Sequence, residues 1–149
     1  MDTVLYPIRP TVRALIRKDN FVLAQEKHKD GIGRYLTLPG GKQEVGETAT
    51  DALERECFEE IGAEVTVGAL IHAAEVFKPK GEGRRHQVEL IFDCTVLADY
   101  TPRMGDHPDR SQIGTLWADT REMAGAFRPG YMAGVLGGEA PVYLGVFDG

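Results

Sequence analysis

The sequence has few cysteines, no excess of positive charge and no long hydrophobic run, and each absence excludes a class of protein. Only two of its 149 residues are cysteines, and no CxxC motif or closely spaced histidine pair indicates a metal site built on sulfur or imidazole. The net charge of −6 argues against non-specific nucleic-acid binding, which needs an excess of Lys and Arg. No apolar segment approaches the about 20 residues of a membrane-spanning helix.

The start of the chain, MDTVLYPIRP, has no basic segment followed by an apolar run. We therefore expect no secretory signal and a cytoplasmic protein. Cys57 and Cys94 lie among apolar neighbours, so we expect two reduced thiols in the core, with a disulfide between them as the alternative. The length of 149 residues, 42% of them hydrophobic and 27% charged, suits one globular domain spanning residues 1–149.

Hydrophobic periodicity predicts a β-rich chain with one long helix. Val12, Ala14 and Ile16 alternate along a half-buried strand, Pro10–Arg17, and Phe21–Lys27 returns as its hairpin partner. The other predicted strands are Tyr35–Leu38, Glu64–Phe77, His86–Ala98, Ile113–Asp119 and Pro141–Phe147, with a polar turn at Lys78–Arg85, a loop at 99–110, a helix from Thr120 and a short helix after Pro129. This order indicates an α+β fold with a mixed β-sheet core flanked by helices.

The long helix has clear start and stop signals. Thr48 is a good N-cap, Asp51 can complete a capping-box-like start, and Gly62 is the expected C-cap glycine. Within this helix the apolar side chains recur at the spacing of a buried stripe, which predicts that Leu53, Cys57 and Ile61 face the core.

Three glutamates crowd the edge of this stripe. On a helical wheel Glu56, Glu59 and Glu60 fall within roughly 100° of one another. Such charges repel and raise each other's pKa unless cations lie among them. Mg²⁺ prefers oxygen ligands and tolerates several carboxylates, so a metal site explains the cluster, and Arg55 could fix Glu59 by an ion pair. The alternative is an ordinary solvated acidic face.

The surrounding motif favours the metal site. The segment from Gly41 to Ala63 resembles the Nudix box, which is Gly, five residues, Glu, seven residues, Arg-Glu, an aliphatic residue, any residue, Glu-Glu, any residue, Gly and an aliphatic residue. Every charged and glycine position is filled, while Cys57 and Ala63 stand where larger aliphatic residues are usual. The preceding LPGG, and Trp117 followed by a predicted helix, also fit the Nudix family.

The resemblance implies the Nudix fold, an α/β/α sandwich, and hydrolysis of a nucleoside diphosphate linked to another moiety. Such enzymes use Mg²⁺ or Mn²⁺ to activate water for attack on phosphorus. The implied substrate is a small-molecule nucleotide, either a (d)NTP or a nucleotide sugar such as ADP-ribose. The alternative is a Nudix module that binds a nucleotide without hydrolysing it. Family members occur as monomers and as homodimers.

The box also implies roles for individual residues. By position, Glu56 and Glu60 are metal ligands, Glu59 is a ligand or the general base, and the carbonyl of Gly40 completes the metal shell. Two further box positions have supporting roles: Arg55 orients a carboxylate, and Glu47 is an acid near the site.

Outside the box the sequence offers weaker candidates. Some family members place a glutamate a few residues before the tryptophan. Gln112 stands there in this chain, so Asp109 in the preceding loop is the second candidate for the base, after Glu59. Arg84 and Tyr35 are candidates for substrate binding. Pro79 stands at a spacing typical of ADP-ribose pyrophosphatases of the family, but we interpret its surroundings as an ordinary hairpin turn.

Overall fold

The computed structural model describes residues 6–149, so the first five residues of the expected domain lie outside it. In chain order its strands are β1 (Arg9–Lys18), β2 (Phe21–Lys29), β3 (Gly33–Thr37), β4 (Gly40–Lys42), β5 (Val65–Lys80), β6 (Gly83–Val96), β7 (Gln112–Asp119) and β8 (Tyr143–Asp148). Its helices are α1 (Ala49–Ile61), α2 (Thr120–Met123), a 3₁₀ turn (Ala124–Ala126) and α3 (Met132–Gly137). Within the described residues, none of these helices has the length and apolar character needed to cross a bilayer.

The strands form one mixed sheet in the order β3-β2-β1-β6-β5-β8, with β4 paired to β1 and β7 paired to β2. The pairs β1–β6 and β5–β8 are parallel and the others antiparallel. The predicted hairpin of β1 and β2 is present, with Arg17 opposite Val22. The short strand β4 was not predicted, because its glycines are typical of a turn.

Apolar clusters lie on both faces of the sheet, as the predicted sandwich requires. On one face, Leu53, Cys57 and Ile61 of α1 pack on β1 and β6, as their spacing predicted. On the other face, residues of the segment 127–135 cover β1, β5 and β6. The prediction of a half-buried β1 was therefore wrong: every residue from Thr11 to Ile16 is buried, because this central strand is covered on both sides. Cys57 and Cys94 are buried free thiols.

The hairpin of β5 and β6 is longer than predicted. Pairing continues to Lys80 opposite Gly83, which leaves a turn of only two residues, Gly81 and Glu82. The polar turn predicted from Lys78 was therefore wrong, since Lys78 and Pro79 lie in a paired strand. The charge of Lys78 does not prevent strand pairing, because side chains of a strand can face an open cavity instead of the core.

Candidate active site

The helix α1 fixes the positions of the box glutamates. The hydroxyl of Thr48 accepts from the backbone N–H of Asp51 at 3.1 Å, and Gly62 closes the helix in the left-handed conformation, with φ 62°. Both predicted caps are therefore present. Because the apolar stripe of α1 is anchored in the core, the neighbouring edge of the helix presents Glu56 and Glu60 to a cavity that residues of β1, β2, β3 and β5 also line.

Glu56 and Glu60 form a crowded carboxylate pair. Glu60 is only 5% exposed, and its Oε1 has no hydrogen-bond partner among the described residues. Burial and the neighbouring Glu56 raise the pKa of Glu60 to about 9, although the positive charges of Lys27 and Arg13 oppose this shift. A cation bound between the two carboxylates would offset their repulsion and stabilise the ionised form of Glu60.

The guanidinium of Arg55 connects the box acids. It donates to both carboxylate oxygens of Glu47, at 2.7 and 3.0 Å. It also donates to Glu56 at 3.0 Å and to Glu59 at 3.2 Å. Hydrogen bonds from Arg55 lower the pKa of Glu47 to about 2, and those to Glu47 raise the pKa of Arg55 further above its ordinary value. Arg55 therefore ties the loop before α1 to the carboxylates of the helix.

The glycine-rich turn lies directly against these groups. A Cβ at Gly41 would approach the Glu56 carboxylate to 2.7 Å. Gly40 has φ 143°, and a Cβ there would come to 1.9 Å from the carbonyl oxygen of Val12. Only glycines at these two positions let the turn pack this closely against β1 and Glu56. As a result, the backbone of Gly40 lies at the edge of the cavity.

The donor set of the site fits a hard divalent cation. Its available groups are carboxylate oxygens, with the unpaired Oε1 of Glu60 among them. Across residues 6–149, no three His, Cys, Asp or Glu side chains already converge as a metal-binding cluster. One reason lies in Arg55, which engages one oxygen each of Glu56 and Glu59. The three glutamates were predicted to share one edge of the helix. In the structure Glu59 faces Arg55 and solvent, whereas Glu60 faces inward.

The cavity beside the glutamates has a volume of about 540 Å³. Of the other predicted site residues, Gly40 and Tyr35 line it. Arg84 does not line it: its guanidinium bonds to Asp148 at 3.0 Å on the outer surface of the hairpin. The cavity walls also carry the cationic side chains of Arg13, Lys27, Lys29, Lys78 and Arg128. No sequence signal indicated Arg13, Lys27 or Arg128, whereas Lys29 and Lys78 lie in polar segments that could be expected to reach a substrate. The site thus combines carboxylates on α1 with a basic wall suited to an anionic ligand.

The loop between β6 and β7 brings Asp109 into the cavity wall. Its carboxylate lies 3.5 Å from the Lys27 ammonium and accepts from the Ser111 hydroxyl at 2.7 Å. Burial raises the pKa of Asp109, but the charge of Lys27 and the hydrogen bonds of Ser111 outweigh it, and the net pKa is below the ordinary value. Gln112 is buried and donates to the backbone carbonyl of Glu60 at 3.0 Å, so it supports the helix.

The same loop caps the C-terminal end of α1. The N–H of Gly105 donates to the carbonyl of Glu60 at 3.0 Å, and the N–H of His107 donates to that of Glu59 at 2.8 Å. A Cβ at Gly105 would lie 2.2 Å from the carbonyl oxygen of Glu59. The glycine therefore permits the contact that satisfies the last carbonyls of the helix.

Replacing Gly105 by Ala should destabilise the protein by about 1–3 kcal/mol, because the added methyl forces loop and helix apart. Urea unfolding measures the change. The control is Gly125→Ala, where an added Cβ meets nothing within 4 Å. Equal unfolding midpoints for the two variants would show that the loop does not depend on this close approach.

Comparison with known proteins identifies the family. The family profile described as the NUDIX domain matches residues 7–132, so this chain belongs to the NUDIX family. The resemblance inferred from the box is confirmed. Together, the mixed sheet with flanking helices and the box glutamates beside a cavity define a protein of this class.

Two curated relatives match parts of the chain. An ADP-ribose pyrophosphatase from Methanocaldococcus jannaschii is 31% identical over 86 residues, which cover 58% of this chain and 50% of that protein. An 8-oxo-dGTP diphosphatase from Proteus vulgaris is 42% identical over 55 residues, which cover 37% of this chain and 49% of that protein. The chain thus matches about half the length of each.

Solved structures share the fold. A NUDIX hydrolase from Nitrosomonas europaea superposes with a TM-score of 0.70 at 22% identity, covering 88% of this chain and 87% of that one. A MutT protein from Bacillus halodurans superposes with a TM-score of 0.67 at 20% identity, covering 95% and 90%. The predicted α+β architecture with flanking helices is confirmed by these likenesses.

Proposed function

We propose that this protein is a divalent-metal-dependent pyrophosphohydrolase that cleaves a nucleoside diphosphate linked to another moiety. The observation that carries this proposal is the Glu56–Glu60 pair, which has an unpaired buried oxygen and borders a cavity with a basic wall. Carboxylates attract the metal, and the cations attract the phosphates that the metal also binds.

Each box residue has a proposed role. Glu56 and Glu60 hold Mg²⁺ or Mn²⁺, and the carbonyl of Gly40 completes the ligand set. A bound divalent cation polarises phosphate oxygens and supplies a more acidic water. Arg55 is a positioning residue, since its guanidinium fixes carboxylates of α1, and Glu47 holds Arg55 in turn.

Glu59 is the proposed general base, and Asp109 is the second candidate. The ion pair with Lys27 keeps Asp109 ionised and lowers its pKa, which makes it a weaker proton acceptor. Glu59 is 37% exposed in its side chain and meets only one edge of Arg55. Because Arg55 engages only the Oε2 of Glu59, the other carboxylate oxygen is left to take a proton released from water.

The proposed substrate is a (d)NTP or a nucleotide sugar such as ADP-ribose. The relatives named as an ADP-ribose pyrophosphatase and an 8-oxo-dGTP diphosphatase support these two classes. Tyr35 lines the cavity with the Arg128 guanidinium 5.7 Å from its ring centre, an arrangement suited to stacking a base. Pro79 also lines the cavity, which favours a functional role over the ordinary turn expected for it.

Hydrolysis is favoured over nucleotide sensing by the completeness of the site. A module that only binds nucleotide has no need for the costly burial of Glu60 beside Glu56, since this placement destabilises the ionised form of Glu60 in the metal-free protein. The sensing module remains the alternative function that the experiment must exclude.

A substrate panel tests the proposal. Purified protein should hydrolyse one class among dNTPs, oxidised dGTP, ADP-ribose, diadenosine polyphosphates, nucleotide sugars and coenzyme A. The products to be measured are pyrophosphate from a triphosphate and phosphate monoesters from ADP-ribose, a nucleotide sugar or coenzyme A. Turnover should require Mg²⁺ or Mn²⁺ and stop with EDTA. Saturable nucleotide binding by calorimetry without turnover of any substrate in the panel would overturn the hydrolase and favour the sensing module.

A further inference from the structure

The face of β6 that looks away from α1 carries polar side chains where the core would take apolar ones. Gln87 and Glu89 share this face with Ile91, which lies in the apolar cluster on that side. Glu89 is completely buried and Gln87 is 6% exposed. Polar residues at core-facing positions of a strand usually serve a site, since they weaken the fold.

Glu89 is the anchor of a buried hydrogen-bond network. Its Oε1 accepts from the Tyr131 hydroxyl, and its Oε2 accepts from the Thr11 hydroxyl at 3.2 Å and lies 3.5 Å from the Arg13 guanidinium. Burial raises the pKa of Glu89, but Arg13 and the hydrogen bond from Tyr131 lower it by more, so the group stays ionised. An ionised carboxylate below Arg13 holds the guanidinium in place.

Arg13 has more donors than partners among residues 6–149. Its five guanidinium N–H groups meet the Leu38 carbonyl at 3.4 Å and Glu89 at 3.5 Å. Both contacts are long, and Arg13 lines the cavity. Donors therefore remain for a ligand.

Lys78 reaches the same cavity from β5. Within residues 6–149, no carboxylate lies within ion-pair distance of its ammonium. Burial lowers the pKa of Lys78 to about 8, and the positive charge of Arg13 adds to this shift, although the Glu89 carboxylate opposes it. An unpaired and partly buried cation costs stability unless it meets an anion in the working protein.

We propose that Arg13 and Lys78 form an anion-binding subsite that takes a phosphate group of the substrate, with Glu89 as the residue that positions Arg13. The guanidinium fork and an ammonium together match the oxygens of a phosphate. The subsite deepens the proposed function and rests on it, since both use the same cavity.

Calorimetric titration with inorganic triphosphate in EDTA tests the subsite without metal. Lys78→Met should weaken binding by about 10- to 100-fold, the value of one charge-assisted contact. Arg13→Lys, which keeps the charge but loses the fork, should weaken it too. The matched control is Lys80→Met, which removes the same charge from an exposed position two residues along β5. This control should bind like the wild type.

Further measurements distinguish failure of the subsite from failure of the proposed hydrolase, and loss of binding from loss of folding. Lys78→Met should be at least as stable as the wild type, since it removes a desolvated charge, so weaker binding cannot follow from unfolding. Glu60→Gln should still bind triphosphate. Triphosphate binding by a protein that hydrolyses nothing would overturn the proposed function alone. No binding by the wild type, or equal binding by Lys78→Met and Lys80→Met, would overturn the subsite.

Discussion

Glu60→Gln should reduce kcat/KM by about a thousandfold, because a bound metal contributes several kcal/mol of transition-state stabilisation and each 1.4 kcal/mol is tenfold in rate. The amide keeps the shape of the side chain but loses the negative charge that holds the cation. Steady-state kinetics on the substrate found in the panel measure the loss. The control is Glu54→Gln on the exposed face of α1, which should keep its activity.

The same variant should fold normally, and its stability should respond differently to pH. In the metal-free protein, burial and Glu56 raise the pKa of Glu60 from 4.5 to about 9. Between these values the native state holds a proton that the unfolded chain releases, so this group's contribution to the unfolding free energy falls as pH rises. Glu60→Gln cannot titrate and should lose less stability over this range in EDTA.

Urea unfolding of both proteins across the range gives the comparison. Parallel pH dependences would contradict the crowded, buried state of Glu60. Full activity of Glu60→Gln would contradict its role as a metal ligand even if the unfolding curves differ.

The elements that were predicted correctly are those with local signals. Thr48 and Gly62 bound α1 by capping chemistry that involves only neighbouring residues, and the stripe of Leu53, Cys57 and Ile61 follows from helix geometry alone. The burial of both faces of β1 depends on which elements cover it, and that is decided by chain segments more than a hundred residues away, such as the one at 127–135. Alternation within one strand carries no information about such cover.

The residues of the candidate site also differ in whether a local sequence signal predicts them. The box glutamates could be found because their spacing lies within one helix. The cations of the basic wall come from separate elements, and only strand pairing brings them together: Arg13 from β1, Lys27 from β2 and Lys78 from β5. Arg84 seemed equally suited to phosphate as a basic residue of the hairpin, but strand alternation turns it away from the cavity to Asp148. Its predicted role in substrate binding stays a prediction.

The sequence does contain a signal for the two buried polar residues of β6, Gln87 and Glu89. Gln87 and Glu89 occupy alternate positions in the segment QVELIF, whose other residues are apolar. In a strand covered on both faces, two such residues on one face indicate a buried polar site. The predicted strand His86–Ala98 carries no signal that both of its faces are covered, and in a half-exposed strand these two side chains would lie in solvent.

Arg13→Met should have the largest effect on stability, a loss of about 3–5 kcal/mol, because removing one partner of a buried ion pair leaves the other charge uncompensated. Glu89 is completely buried. In this variant it keeps hydrogen bonds from the neutral Tyr131 and Thr11, and the positive charge of Lys78 acts on it only from beyond ion-pair distance. Urea unfolding at neutral pH gives the difference in unfolding free energy.

The double variant Arg13→Met/Glu89→Gln decides whether charge is the cause. A neutral amide leaves no unpaired charge, and its carbonyl oxygen can still accept from Tyr131, so roughly half of the loss or more should be recovered. If the double variant is instead less stable than Arg13→Met, the loss comes from packing around the arginine stem. A recovered double variant that fails to bind triphosphate would separate the two roles of Arg13, since the fold would then be intact while the phosphate subsite is gone.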